Sequence, residues 1–268
     1  FRHETKNGTK PIGAVSTLST FESTLILPDL VDTATDQYNL GLHYTGDKSF
    51  MQAAYHGALF SNHVKSLTWQ DPSNLATSSS MSSTPSNQFH QLNLTGGHNF
   101  SSATKLVMNG FYGRNTQNET FLTNPQLPLG IPQSSLEGVV VTKGLNLKLT
   151  ARPLRGLNLA AGYKFDDRDN RSPVNTYVYY DINQSKTGAS SFDTALGLPA
   201  GTLGSNVNVY NNRPQSKRLN QFNLDGDYAV AKGHTLAAGY EWQMIDRHCN
   251  GTWIACVGPR NRPPLGKI

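Results

Sequence analysis

Residues 146–173 read NLKLTARPLRGLNLAAGYKFDDRDNRSP. On both sides of the short segment RPLRG, apolar residues alternate with polar ones. A period of two predicts β-strands with one apolar and one polar face, joined here as a hairpin. Five charged residues then follow within 166–171. We therefore expect the chain to leave an apolar environment for water at this point.

Composition does not exclude a membrane protein. The chain has 268 residues, 37% of them hydrophobic, and a mean hydropathy of −0.46. It contains no apolar run long enough for a transmembrane helix. A membrane-spanning β-strand needs only about 9–11 residues, of which every second one can be polar. The net charge is +5, but the Lys and Arg residues are scattered, which argues against nucleic acid as a partner.

The same alternation recurs along the chain. Period-two stretches cover about 38–44, 51–59, 91–95, 105–112, 145–151, 157–166, 221–228 and 236–244, after a first strand at about 1–10. Aromatic residues lie near the ends of these stretches and on their apolar sides, which favours the interface girdles of a barrel over ordinary β-propensity. They are Tyr38, Tyr44, Tyr112, Phe165, Tyr228, Tyr240 and Trp242.

The connections alternate between long and short. Long loops are predicted at about 15–36, 61–87, 114–136 and 170–215, and short turns near 45–48, 96–102, 152–156 and 230–234. Outer-membrane barrels sort their loops in this way, whereas a β-sandwich has no reason to do so. We therefore interpret 1–268 as one all-β segment of an antiparallel transmembrane β-barrel. About nine strands are visible, and we expect a piece of a larger barrel.

The chemistry that the residues offer is limited. No Cys-x-x-Cys-His motif is present, so the chain attaches no c-type haem itself, and no Gly-x-Ser-x-Gly elbow indicates a hydrolase. We predict no enzyme activity and no metal site. The two cysteines, Cys249 and Cys256, are closely spaced, which predicts a disulfide in an oxidising compartment; two reduced thiols are the alternative.

Several polar residues are candidates for contact with a partner or solvent. Asp166, Asp167, Arg168, Asp169 and Arg171 predict a salt-bridged charge cluster at the barrel rim, with calcium binding or acid–base chemistry as alternatives. His43 and His56 fall on the polar side of their strands. They are candidates for contact with whatever occupies that side, or are simply hydrated.

Six longer motifs are more specific than the alternation requires. They are LPDLVDTATDQYNLGLHYTGDKSF (27–50), SLTWQDPSN (66–74), FYGRNTQNETFL (111–122), GYKFDDRDNRSP (162–173), NRPQSKRLNQFNLDGDY (212–228) and GYEWQMIDRHCNGTWIAC (239–256). Together they resemble the decahaem-cytochrome-associated outer-membrane proteins of the MtrB/PioB family, in order and over about 1–260.

The resemblance implies a wide barrel in the outer membrane of a Gram-negative bacterium. Such a barrel is expected to sheathe a periplasmic multihaem c-type cytochrome, and in some cases to meet an outer-surface cytochrome, so that electrons cross the membrane. Haem would belong to the partner and not to this chain, and His43 and His56 could touch a haem edge or the cytochrome surface. Two alternatives remain open, a porin-like solute channel and a soluble secreted β-sandwich or adhesin.

The charges on the polar side suggest how a partner could be held. Lys105, Lys148, Arg152 and Lys164, with Glu241, Asp225 and Asp227, are expected to face the lumen and to dock a cytochrome by complementary potential. Plain hydration of a watery pore explains them equally well. Arg213, Lys217 and Arg218 are expected at the external rim, where they could contact lipopolysaccharide phosphates.

Overall fold

The computed structural model describes residues 1–16, 23–71, 74–123, 129–180, 199 and 207–249. These residues form strands and no helix that is long and apolar enough to span a bilayer. The strands are β1 (Arg2–Ser16), β2 (Ser23–Thr45), β3 (Ser49–Asn62), β4 (Ser66–Asp71), β5 (Asn74–Ser82), β6 (Asn87–Asn99), β7 (Thr104–Gln117), β8 (Gly138–Leu154), β9 (Leu157–Asn170), β10 (Thr176–Tyr180), β11 (Val207–Asn211), β12 (Gln215–Ala231) and β13 (His234–Cys249).

Nine of these strands form a single sheet in the order β1-β2-β3-β6-β7-β8-β9-β12-β13. Every neighbouring pair in it is antiparallel. Within the described residues, β1 and β13 each pair on one side only, so the sheet is open at both edges. The predicted all-β class, the antiparallel order and the strand number are confirmed.

The sheet has no hydrophobic core of its own. Among the residues whose burial is described, few apolar side chains are buried; they include Ala14, Val141, Val178, Leu219 and Cys249. Large apolar side chains are instead exposed; Leu40, for example, is 70% exposed and Leu42 is 71% exposed. Burying such side chains is the main favourable term in the folding of water-soluble domains. The sheet therefore needs an apolar medium on one side.

Strand register separates the residues of the sheet cleanly into two faces. The apolar face includes one row of cross-strand neighbours running from β2 to β13: Tyr44, Met51, Gly96, Met108, Leu147, Tyr163, Phe222 and Trp242. One residue along each strand, the neighbouring row lies on the polar face: His43, Gln52, Thr95, Asn109, Asn146, Lys164, Gln221 and Gln243. Every member of the second row is polar, which is the alternation expected of a barrel wall.

From β2 to β13, each short turn lies further along the strand direction than the one before it, so this edge of the sheet is staggered. The β2–β3 turn follows Thr45, whose row of neighbours reaches β13 at Glu241, and β13 continues from there to His234. A staggered edge of this kind is required when tilted strands close into a barrel. Two of the turns are completed by Gly156 (φ 83°) and Gly233 (φ 80°), in the left-handed region that favours glycine.

Two predicted loops contain more strand than expected. The segment 15–36 was expected to be a loop, but β1 and β2 pair from Ser16 and Ser23 onward, well beyond the last β3 partner of β2 at Thr33. The serine-rich 61–87 was also expected to be a loop, but it contains the β4–β5 hairpin, in which Thr68 and Ser80 share a hydrogen bond of 2.9 Å. Backbone pairing with a neighbouring strand orders both segments, although 61–87 contains few apolar residues.

The other connections differ from expectation at their ends. Strand β6 continues through Gly96–Asn99, so the β6–β7 turn is limited to 100–103. Strand β7 continues to Gln117, and β10 and β11 form a small hairpin inside 170–215. Long connections nonetheless lie at one end of the nine-stranded sheet and short turns at the other.

Candidate functional site: the polar face of the sheet

The structure brings the predicted lumen-facing residues to one face. His43, His56, Lys105, Lys148, Lys164 and Glu241 all lie on the polar face by strand register. Arg152 lies beside the bulge at the end of β8, where its backbone N–H donates to the Ala103 carbonyl at 2.8 Å. Alternation along nine paired strands collects these residues, although they are far apart in sequence.

Most of the polar face is satisfied by hydrogen bonds between its own side chains. The Nδ1 atom of His56 lies 2.7 Å from Oδ1 of Asn39, and His43 is 2.7 Å from the Thr45 hydroxyl. The Gln221 amide donates to Glu241 at 2.8 Å. Both histidines therefore have polar partners on their own wall. Within the described residues, they belong to no group of three side chains that could hold a metal ion.

The basic residues of this face are more available. Lys105, Lys148 and Lys164 are exposed, and none has a carboxylate within 4 Å among the described residues. At the short-turn end, Lys105 and Arg152 line one side of a half-open pocket of about 1080 Å³, and Asp225 and Asp227 line the other. The pocket thus presents both signs of charge to whatever occupies the polar face.

The predicted rim cluster is not a single cluster. Strand β9 runs to Asn170, so neighbouring residues of the cluster point to opposite faces. Asp166 and Arg168 lie on the polar face, whereas Asp167 and Asp169 lie on the opposite one. Arg171 follows the strand and pairs with Asp169 at 2.7 Å. Asp166 is thus separated from Asp167 and Asp169, and each of those two is paired with an arginine, Arg218 or Arg171.

The carboxylates on the apolar side have their own cationic partners. Asp167 is 3% exposed and accepts a hydrogen bond from Nε of Arg218 at 3.3 Å. We call the four cross-strand neighbours at this level the outer ladder: Lys143, Asp167, Arg218 and Asp246. Its charges alternate in sign from strand to strand. Arg218 is therefore separated from Lys217, which lies on the polar face, and the expected basic group 213–218 is divided.

Sequence reasoning missed a set of phenylalanines on the polar face. The ring of Phe50 lies across Gly97 and the ring of Phe111 lies across Gly144, each in the space that a glycine Cβ would need. The ring of Phe89 is centred 6.0 Å from that of His56. Aromatic rings placed over glycines pin strand register. The signal was available, because these phenylalanines fall at polar positions of their period-two stretches.

Ion pairs and hydrogen bonds also hold the bases of the long connections. Glu119 lies 2.7 Å from Nζ of Lys65 and accepts from the Ser86 backbone N–H at 3.3 Å. The Lys65 contact, followed by the Ser86 hydrogen bonds, lowers the pKa of the Glu119 carboxyl. The Asp169 carboxylate likewise raises the pKa of Arg171. These connections begin in defined contacts, just outside the apolar zone.

Cys249, the first of the two predicted disulfide partners, is the last residue of β13. Cys249 is buried and disulfide-bonded. Cys256 lies outside the described residues, so the pairing between the two stays a prediction.

Comparison with known proteins agrees with this geometry. Residues 1–252 match the family described as "Putative outer membrane beta-barrel porin, MtrB/PioB". The outer membrane protein MtrB of Shewanella baltica (strain OS185) is 26% identical over 234 residues, which is 85% of this chain and 30% of that protein. The chain thus spans about 30% of the length of this relative.

Family membership explains why apolar side chains are exposed on one face of the sheet. In the outer membrane of a Gram-negative bacterium that face meets lipid, and the polar face is directed to the inside of the barrel. The fold and the match over residues 1–252 together place the chain in the MtrB/PioB family of outer-membrane β-barrel proteins.

Proposed function

We propose that this chain forms part of a barrel wall that sheathes and positions a multihaem c-type cytochrome. The cytochrome would carry electrons across the outer membrane, either outward or for iron oxidation. The chain would supply no haem ligand and no catalytic group. Its task would be to keep lipid away from the haem protein and to fix its position, because electron transfer depends on close haem spacing.

The observation that carries this proposal is the continuous polar face. It extends across eight neighbouring strands and presents exposed lysines, one of its rows being polar throughout. Charges of this kind can hold a folded protein by complementary potential. The resemblance of six sequence motifs to decahaem-associated proteins supports a cytochrome as that protein. Contact with an outer-surface cytochrome, at the long-connection end, belongs to the same proposal.

The family description favours a second candidate, a porin-like channel for solutes. A lumen lined by hydrogen-bonded Asn, Gln and Thr side chains would also pass small polar molecules. In that case the lysines would set solute selectivity and no protein would fill the lumen.

A visible absorption spectrum separates the two candidates. The intact protein, tagged and purified from native outer membranes in mild detergent, is expected to show a Soret band with several haems per barrel. Because this chain has no haem-attachment motif, none of that haem would be attached to it. A colourless, detergent-stable barrel that conducts ions in a planar bilayer would contradict the sheath and establish the channel.

A further inference from the structure

Three basic residues on the polar face stand next to one another on adjacent strands. Arg168 on β9 is directly opposite Lys217 on β12, and Lys217 is directly opposite Arg247 on β13. All three side chains are exposed. Directly opposed residues of an antiparallel sheet have Cα atoms only about 4.5–5.5 Å apart. We call these three residues the cationic row.

The cationic row contrasts with the outer ladder, which lies one residue along the same strands. In the outer ladder the charges alternate, and Asp167 and Arg218 form an ion pair at 3.3 Å. In the cationic row all three charges have the same sign. Like charges directly opposed across strands are destabilising. The outer ladder neutralises itself, whereas the cationic row lacks a counter-charge within its own row.

The nearest acid on the polar face does not neutralise the cationic row. Asp166 lies one row nearer the short turns, opposite Gly144 and Leu219. Within the described part of the chain, no carboxylate lies within 4 Å of the nitrogen atoms of Arg168, Lys217 or Arg247.

The geometry of the row is suited to binding a carboxylate. One N–H group of Arg168 donates to the Gln215 carbonyl at 3.0 Å, which anchors the guanidinium and leaves its other donors available. Arginine presents paired donors that match both oxygens of a carboxylate, and lysine adds a mobile point charge. The cationic row lies on the polar face, inside the barrel. Lipid headgroup phosphates lie outside the barrel, on the side of the outer ladder.

We propose that the cationic row is a docking site for an acidic patch on the protein enclosed by the barrel, near the long-connection end. This inference rests on the proposed sheath function and makes it more specific. Carboxylates of the enclosed protein would supply the missing counter-charge. They would also fix its height in the barrel, because the row lies at one level and only on β9, β12 and β13.

Salt-dependent release of the enclosed haem protein tests this site. The intact tagged protein is immobilised from detergent-solubilised outer membranes and washed with increasing NaCl, and haem absorbance is followed in the eluate. Neutralising the row with Arg168→Gln, Lys217→Gln and Arg247→Gln is expected to weaken retention about tenfold at low salt, since each exposed charge contact contributes modestly. A matched control neutralises three exposed cations off the polar face, Arg114, Arg155 and Lys232, and is expected to leave retention unchanged.

Two further variants separate a charge effect from misfolding. Lys217→Gln alone removes the central like-charge repulsion, so it is expected to fold at least as well as wild type and still to weaken retention. Arg168→Lys with Arg247→Lys keeps the charges and is expected to retain haem better than the neutralised row. Both are checked for the heat-dependent gel mobility of a folded barrel.

The outcomes distinguish this inference from the sheath itself. If the wild-type protein contains haem, and the neutralised-row variant releases it at the same NaCl concentration as the control variant, the docking site is wrong and the sheath proposal stands. A wild-type barrel purified without haem overturns both. Weaker retention confined to the row variants, and recovered by the charge-keeping variant, supports the site.

Discussion

At the scale of single residues, the polar side chain of Asn220 lies on the apolar face and is hydrogen-bonded to a neighbouring side chain. Asn220 lies among apolar neighbours, level with Leu145 and Met244, and the hydroxyl of Tyr163 donates to its Oδ1 at 2.9 Å. Lipid cannot satisfy an amide, so this hydrogen bond matters more here than it would in water. The tyrosine is thus both an apolar surface and a hydrogen-bond donor.

We expect Tyr163→Phe to destabilise the barrel by about 1–3 kcal/mol, because it leaves the Asn220 carbonyl without a donor near the lipid. The urea midpoint of unfolding in detergent micelles measures the change. Adding Asn220→Leu should recover most of the loss, since both polar groups are then absent. If Tyr163→Phe alone is as stable as wild type, the Asn220 amide must find another hydrogen-bond partner.

At the scale of strands, a step of one residue moves a side chain from one face of the sheet to the other. Leu147 lies in an apolar row and Asn146 lies in the polar row beside it, on the same strand β8. The hairpin formed by β8 and β9 was predicted from this alternation alone. A basic residue therefore has opposite consequences at neighbouring positions.

Leu147→Arg is expected to destabilise the folded barrel by about 2–4 kcal/mol, the range for a basic residue facing lipid at mid-depth. Asn146→Arg, its matched control, should fold normally because it projects into water. Heat-dependent gel mobility and the amount of protein in the outer-membrane fraction report the difference. Equal tolerance of both variants would mean that the face assignment is wrong.

The contacts at the bases of the long connections predict a dependence on pH. The pKa of the Glu119 carboxyl is lowered in the folded protein. The stabilisation that ionised Glu119 gives to the fold is therefore fully present above the ordinary glutamate pKa, about 4.3. It is lost as the pH falls through the lowered value. We expect limited proteolysis within 118–123, with an acid-stable protease, to increase as the pH falls below the ordinary glutamate pKa. Glu119→Gln should remove this pH dependence while leaving the barrel folded.

At the scale of the whole molecule, the long and short connections lie at opposite ends of the sheet. The β1–β2 pair continues past β3 at the long-connection end, where the β4–β5 and β10–β11 hairpins also arise. In outer-membrane barrels the long connections face the outside of the cell and the short turns face the periplasm. This arrangement orients the cationic row toward the outer end of the lumen.

Surface labelling in intact cells tests this orientation. Thr9 is exposed on the part of β1 that extends beyond β3, and Asp47 is exposed in the β2–β3 turn. We expect a membrane-impermeant maleimide to label Thr9→Cys in whole cells and Asp47→Cys only after lysis. Labelling of Asp47→Cys in whole cells, with protection of Thr9→Cys, would reverse the orientation.

The alternation of residues along the chain is enough to assign the strands of the nine-stranded sheet and their two faces. These features depend on neighbours one or two positions apart, which a linear chain displays directly. Lys105, Lys148 and Lys164 could therefore be assigned to the polar face from sequence. The nine-stranded sheet and the antiparallel order follow from the same pattern.

Which residues meet across strands depends on the tertiary structure. Register joins Arg168 to Lys217 and Arg247, over long sequence separations, and it splits the expected rim cluster between two faces. A shift of one residue in pairing would exchange the faces, so register is set by all strands together and not by any one stretch. The cationic row, the outer ladder and the hairpins within the long connections are consequences of that pairing.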